Sequence, residues 1–159
     1  KSFIISCDGA TRWLLQNNLT PNLVISDLDG LDSQIIEYIL SNNIMMHVLI
    51  HGDNREQVSN FLDIKQHFND NTDIWFFTQG KPIQNWSNSI GFTDGDRALI
   101  FALLNKLNPL LFVDVLIIPV VGSPEGVLLA RQKLICILET IESKSEGTEK
   151  ASGFVRLKS

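Results

Sequence analysis

Apolar residues in this chain come in two kinds of block, and the kinds alternate. Phe3-Ile4-Ile5-Ser6-Cys7, Leu23-Val24-Ile25, Met46-His47-Val48-Leu49-Ile50, Ile74-Trp75-Phe76-Phe77 and the stretch 112–118 are short, nearly continuous and rich in β-branched or aromatic side chains. Runs of that kind suit parallel strands covered on both faces, which show no in-out alternation. Between them the apolar residues spread to helical spacing. The helical stretches are Arg12-Trp13-Leu14-Leu15-Gln16, then Ile35, Ile36, Ile39 and Leu40 up to Ser41, then Arg55 to Phe68, then Ala98 to Leu104, and last Glu125 to about Ile141 behind Gly122-Ser123-Pro124. The alternation predicts an α/β fold, a doubly wound, mostly parallel sheet with helices on both faces. Residues 1–145 form one domain in this reading, and 146–159, entered through the polar run 142–152, a mobile segment with a candidate terminal strand at Phe154-Val155-Arg156-Leu157.

Composition narrows the chemistry. At 159 residues the chain can bury a core without disulfides or a structural metal, and its formal charge of -5 sets it against bare polyanions. Nucleic acid is therefore not an expected partner, and a nucleotide would need a cation. Cys7 and Cys136 have neither a disulfide framework nor a zinc-ligand spacing and read as reduced packing residues. No run reaches membrane-spanning length and no signal peptide is visible, which predicts a cytoplasmic protein without a membrane partner. The chain starts at Lys1 without Met and runs straight into a strand, so an upstream segment is expected; a homo-oligomer is left open.

Four corners pair Asp with Gly where a strand ends or a helix opens: Cys7-Asp8-Gly9, Ser26-Asp27-Leu28-Asp29-Gly30, His51-Gly52-Asp53-Asn54 and Thr93-Asp94-Gly95-Asp96. In an open parallel sheet the carboxyl ends of the strands bound the ligand crevice, so these corners converge on one edge. A single Asp before a helix is explained by capping alone. Two acids flanking Leu28 repel each other, and a cation or a proton must relieve that repulsion. A calcium loop fails on spacing, because Gly30 falls too early and Tyr38 stands at the twelfth position from Asp27. A phosphatase of the haloacid dehalogenase type would want Thr where Leu31 stands and a second Asp near Gly52-Asp53.

Thr93 and Asp96 have capping-box spacing, and Asp94 and Arg97 are an ordinary i,i+3 pair. Neither explains Gly95 in a first helical turn, which suggests close approach of backbone to a ligand. His51 reads equally as a packed polar cap or a substrate contact; His47, His67 and the three tryptophans read as packing or surface residues. There is no phosphate-binding loop of the form G-x-x-x-x-G-K-[ST] and no G-x-G-x-x-G, which leaves phosphates to acids plus metal.

Cys7-Asp8-Gly9-Ala10, Pro21 with Ser26 to Gly30, His51-Gly52-Asp53-Asn54, Thr78-Gln79 and Gly91-Phe92-Thr93-Asp94-Gly95-Asp96-Arg97 resemble, in order and spacing, the archaeal 6-hydroxymethyl-7,8-dihydropterin pyrophosphokinase family. That family is related to thiamin pyrophosphokinase, and the resemblance runs from Asp8 to Lys133-Leu134. It implies pyrophosphoryl transfer from ATP to a reduced pterin with Mg²⁺, both partners being small molecules. The catalytic residues it implies are Asp27, Asp29, Asp94 and Arg97, and the metal ligands are drawn from Asp27, Asp29, Asp53, Asp94 and Asp96. Substrate or nucleotide contacts fall to Asp8, Gly9 and Ala10 through backbone N–H groups, and to His51, Asp53, Asn54, Gln79 and Thr93, with Arg55 or Lys81 as further positive charge. Val121-Gly122-Ser123-Pro124 departs from the Gly-Met-Asp type of segment expected there, so thiamin as acceptor, or a non-catalytic nucleotide-binding module, remains an alternative.

Overall fold

The computed structural model describes residues 3–68, 71–79, 87–88, 91 and 93–104. Chain contacts group 1–98 as one unit and 99–159 as a second. In chain order the elements are β1 (Ile5–Cys7), α1 (Ala10–Gln16), β2 (Leu23–Ser26), α2 (Ser33–Ser41), β3 (Met45–Ile50), α3 (Arg55–Lys65), β4 (Ile74–Thr78), β5 (Ser87–Asn88) and α4 (Asp94–Leu104). All strand pairs are parallel and the sheet order is β1-β2-β3-β4-β5.

Helices joining adjacent parallel strands by right-handed crossovers fall on the same side of the sheet. Val24, Met46 and Val48 accordingly pack with Ile35, Ile36, Ile39 and Leu40 of α2 and Phe61 of α3, and Leu15, Ile74 and Phe76 border that cluster. On the opposite face Leu23, Ile25 and Leu49 are also buried, and parallel strands alternating with helices bear out the expected α/β fold. His47 lies on that second face against the Phe77 ring at 4.8 Å, and burial pushes its pKa down to about 4, which keeps it a neutral packing residue.

Local signals explain most boundaries. Asp32 caps α2 by accepting the Ile35 N–H at 2.9 Å, and the Arg12 guanidinium, 2.9 Å from Asp32, ties α1 to that cap. α3 ends at Lys65, short of the expected Phe68, because residues 66–68 turn off with bonds to the carbonyls of Leu62, Ile64 and Lys65. β5 was not expected: two polar residues carry no strand pattern, and only pairing with Phe77 and Thr78 defines it. The strand expected over 112–118, the helix from 125, and the segment 146–159 lie outside the described residues. Among the described residues no helix is long and apolar enough to cross a membrane. Phe61 is fully buried and meets Phe76 edge-on at 6.4 Å, so Phe61→Ala is expected to destabilise the protein by about 3–5 kcal/mol in denaturant unfolding.

Candidate functional site

Parallel pairing brings the ends of β1, β2 and β3 to one edge, and with them the first three Asp-Gly corners. At the end of β1, Asp8 has a left-handed φ of 43° and gives its N–H to the Ile25 carbonyl at 2.9 Å. Its side-chain Oδ1 accepts the Ser26 hydroxyl at 2.7 Å and the Gly30 N–H at 3.1 Å. At the end of β2, Leu28 also sits in the left-handed region, at φ 77°, with its side chain in the core and its N–H bonded to Ser26 Oγ at 2.8 Å. Burying Leu28 anchors the corner between its two acids. Carboxylate oxygens of Asp8, Asp27 and Asp29 then all lie within 4.8 Å of one another.

Such a cluster resists full ionisation. Asp29 is pushed up to about 6, first by desolvation and then by the charges of Asp27 and Asp8. Asp94, at the first turn of α4, is pushed up to about 7 by burial and by Asp27, with Arg97 offsetting part of the rise and Asp8 adding to it. Cys7, just before Asp8, is pushed up to about 12 by burial and then by Asp94, Asp8 and Asp96, so it stays a thiol and is no nucleophile.

His51 bridges two corners. Its Nε2 is 3.2 Å from Asp27 Oδ2, its Nδ1 bonds Asp53 Oδ1, and its backbone N–H goes to Asn54 Oδ1 at 2.9 Å. Burial pulls its pKa down, but the hydrogen bonds to Asp27 and Asp53 outweigh that and raise it. The same bond from His51 holds Asp53 below the usual carboxylate range. Asp53, expected as a metal ligand, is almost fully exposed and lies outside the acidic trio, with its carboxylate on His51 Nδ1.

Other expected roles shift as well. Asn54, expected as a substrate or nucleotide contact, is buried, and its amide donates to the carbonyls of Asp27 at 2.8 Å and Leu49 at 2.7 Å, which stitches β3 to the acidic corner. Asp96 and Thr93 cap α4 reciprocally, at 3.2 and 3.3 Å, so the spacing alone foretold their bonds, while Asp96, expected as a metal ligand, is buried apart from the trio. Arg97 donates to Asp94 at 3.0 Å and to the Gly91 carbonyl at 3.3 Å from a buried position, which sets its charge against Asp94. Among the described residues a Cβ at Gly95 would meet nothing nearer than Thr93 Oγ1 at 3.9 Å.

Of the backbone groups expected to receive phosphate, the Asp8 N–H is bonded to Ile25, and Gly9 and Ala10 open a helix of only seven residues. Gln79 is exposed just past β4. Sequence reasoning missed that the Asp8 carboxylate joins the acidic cluster and that the Ser26 hydroxyl holds it. The signal available was the repetition of Asp-Gly at the end of β1.

Residues 1–114 match the family model described as 6-hydroxymethylpterin diphosphokinase MptE-like. The chain belongs to this family. Among its relatives, the 6-hydroxymethyl-7,8-dihydropterin pyrophosphokinase of Methanothermobacter thermautotrophicus is 36% identical over 99 residues, covering 62% of this chain and 40% of that protein. The proteins of the same name from Pyrococcus furiosus and Methanocaldococcus jannaschii are 35% identical over 98 residues and 32% identical over 111, covering 62% and 70% of this chain and 38% and 45% of theirs. The chain thus spans less than half the length of these relatives. All four acidic corners fall within the stretch that matches the MptE-like family.

Proposed function

We propose that this MptE-like chain carries the catalytic site of an ATP- and Mg²⁺-dependent pyrophosphokinase acting on 6-hydroxymethyl-7,8-dihydropterin. The observation that carries the reading is the trio Asp8, Asp27 and Asp29, whose oxygens lie within 4.8 Å of one another at the carboxyl edge of a parallel sheet. Relatives bearing the pterin pyrophosphokinase name support the acceptor. The donor set fits the metal: three carboxylates offer the hard oxygen ligands that Mg²⁺ takes, and Asp29 is raised by desolvation first and then by the charges of Asp27 and Asp8, which a cation would offset.

In the reaction the hydroxymethyl oxygen attacks the β-phosphorus of ATP, the bond from that phosphorus to the α-bridging oxygen breaks, AMP leaves and the hydroxyl proton is lost. Asp8, Asp27 and Asp29 would hold the Mg²⁺, which when bound neutralises charge on the phosphate oxygens. His51, braced by Asp53, fixes the Asp27 carboxylate, and Asn54 fixes the backbone beneath it. Asp94, with its pKa near 7 and Arg97 on its Oδ1, is suited to take the hydroxyl proton at neutral pH.

Cation binding should therefore depend on pH in one direction. Asp29 and Asp94 have raised pKa values, so protons compete with the cation below them, and Mn²⁺ affinity should rise as pH climbs through about 6 to about 7. Mn²⁺ titration at pH 5.5 and pH 8 checks this; equal affinity at both would remove the cluster from the site. The function itself is tested by AMP release from ATP and Mg²⁺ with the full-length protein, comparing the pterin, thiamin and no acceptor. AMP with the pterin alone supports the reading. AMP with thiamin alone keeps the chemistry and overturns the acceptor, and no AMP in any tube favours a nucleotide-binding module.

A further inference from the structure

We infer that Ser26 is a positioning residue that aims the Asp8 carboxylate into the cation-binding trio, an inference that rests on the metal reading above. Ser26 is fully buried at the last position of β2, and its hydroxyl has two partners. It accepts the Leu28 N–H at 2.8 Å and donates to Asp8 Oδ1 at 2.7 Å. A hydroxyl has a single hydrogen, so accepting from Leu28 while donating to Asp8 fixes its rotor, and a donor facing a carboxylate makes the stronger, charge-assisted kind of bond.

The Gly30 N–H meets the same Oδ1 at 3.1 Å, so both donors grip one oxygen of Asp8. The second oxygen, Oδ2, lies so close to Gly30 that a Cβ there would come within 1.9 Å of it. Asp8 is thus clamped from the neighbouring strand and its corner, against repulsion from Asp27 and Asp29 that would otherwise swing it away. Ser26 also joins the two halves of the trio: the hydroxyl that holds Asp8 holds the turn between Asp27 and Asp29. Groups that orient metal ligands in this way typically change metal affinity 10- to 100-fold, about one to two decades, when removed.

The test uses the full-length protein and Mn²⁺ as the probe, with electron paramagnetic resonance reporting free and bound ion. Ser26→Ala removes the hydroxyl. Ser26→Cys keeps the size at the buried position and leaves only a weak S–H donor, so it serves if the alanine variant folds poorly. Both are expected to weaken Mn²⁺ binding by about tenfold or more and to broaden the bound-ion spectrum. Variants that melt at lower temperature yet bind Mn²⁺ as tightly as the parent, with an unchanged spectrum, would reduce Ser26 to a packing residue and overturn the inference. Asp27→Asn separates this from failure of the metal reading. If the parent binds Mn²⁺ tightly and Asp27→Asn weakly, only the role of Ser26 is in question; if the parent binds no better than Asp27→Asn, the metal site and the inference fall together.

Discussion

Asp27→Asn is expected to lower turnover by about a thousandfold or more while leaving the protein folded, because it removes one of three charges that hold the cation at the transferred phosphates. The fold tolerates the change for reasons visible in the site. Asparagine has the size of aspartate, the bond from Asn54 goes to the Asp27 main-chain carbonyl, and a side-chain carbonyl still accepts from the Asp29 N–H. The Asp27 charge also helps raise both Asp29 and Asp94. A carboxyl whose folded pKa is raised favours the folded state at low pH and opposes it once ionised. Removing Asp27 lowers both pKa values, so in chelator near pH 7 the variant should melt no lower than the parent. Steady-state assay and thermal melting together check this. Parent-like turnover in a folded Asp27→Asn protein would remove the trio from catalysis.

Gly30→Ala gives the second large effect, by a steric route. An added Cβ would lie 1.9 Å from Asp8 Oδ2 and 2.6 Å from its Cγ, so the carboxylate must rotate out of the trio and give up its bonds to Ser26 and to the Gly30 N–H. The obstacle is the end of a partly exposed side chain, not backbone. Stability should therefore fall by about 1–3 kcal/mol, because the buried Ser26 hydroxyl loses its carboxylate partner, with alanine's smaller unfolded-state entropy offsetting part of the loss. kcat/KM should fall by about 10- to 100-fold, and the Mg²⁺ concentration for half-maximal rate should rise. Unchanged Mg²⁺ dependence in this variant would show that Asp8 is not needed in the pose seen here.

The elements most legible in the sequence are those with unmixed local signals. β2 and β3 announce themselves as continuous apolar runs, and α2 by its Asp32 cap and the spacing of Ile35, Ile36, Ile39 and Leu40. The reciprocal bonds of Thr93 and Asp96 followed from spacing three apart. What was not legible depends on partners distant in the chain. Whether Asp8 offers its N–H or its carboxylate to the crevice is decided by a left-handed φ and by Ile25, Ser26 and Gly30, of which Ser26 is 18 residues away and Gly30 is 22. Asn54 looks like a ligand contact beside His-Gly-Asp, yet a carbonyl 27 residues back claims its amide. β5 exists only as a pairing with β4, which two polar residues cannot encode alone.

Whether two phosphates move together can be read by phosphorus-31 NMR of the full-length protein with ATP, Mg²⁺ and 6-hydroxymethyl-7,8-dihydropterin. ATP loss should be matched by AMP and by a new pair of coupled diphosphate resonances on the pterin, with neither ADP nor orthophosphate accumulating. Resonances of ADP with a singly phosphorylated pterin, or of orthophosphate, would contradict it.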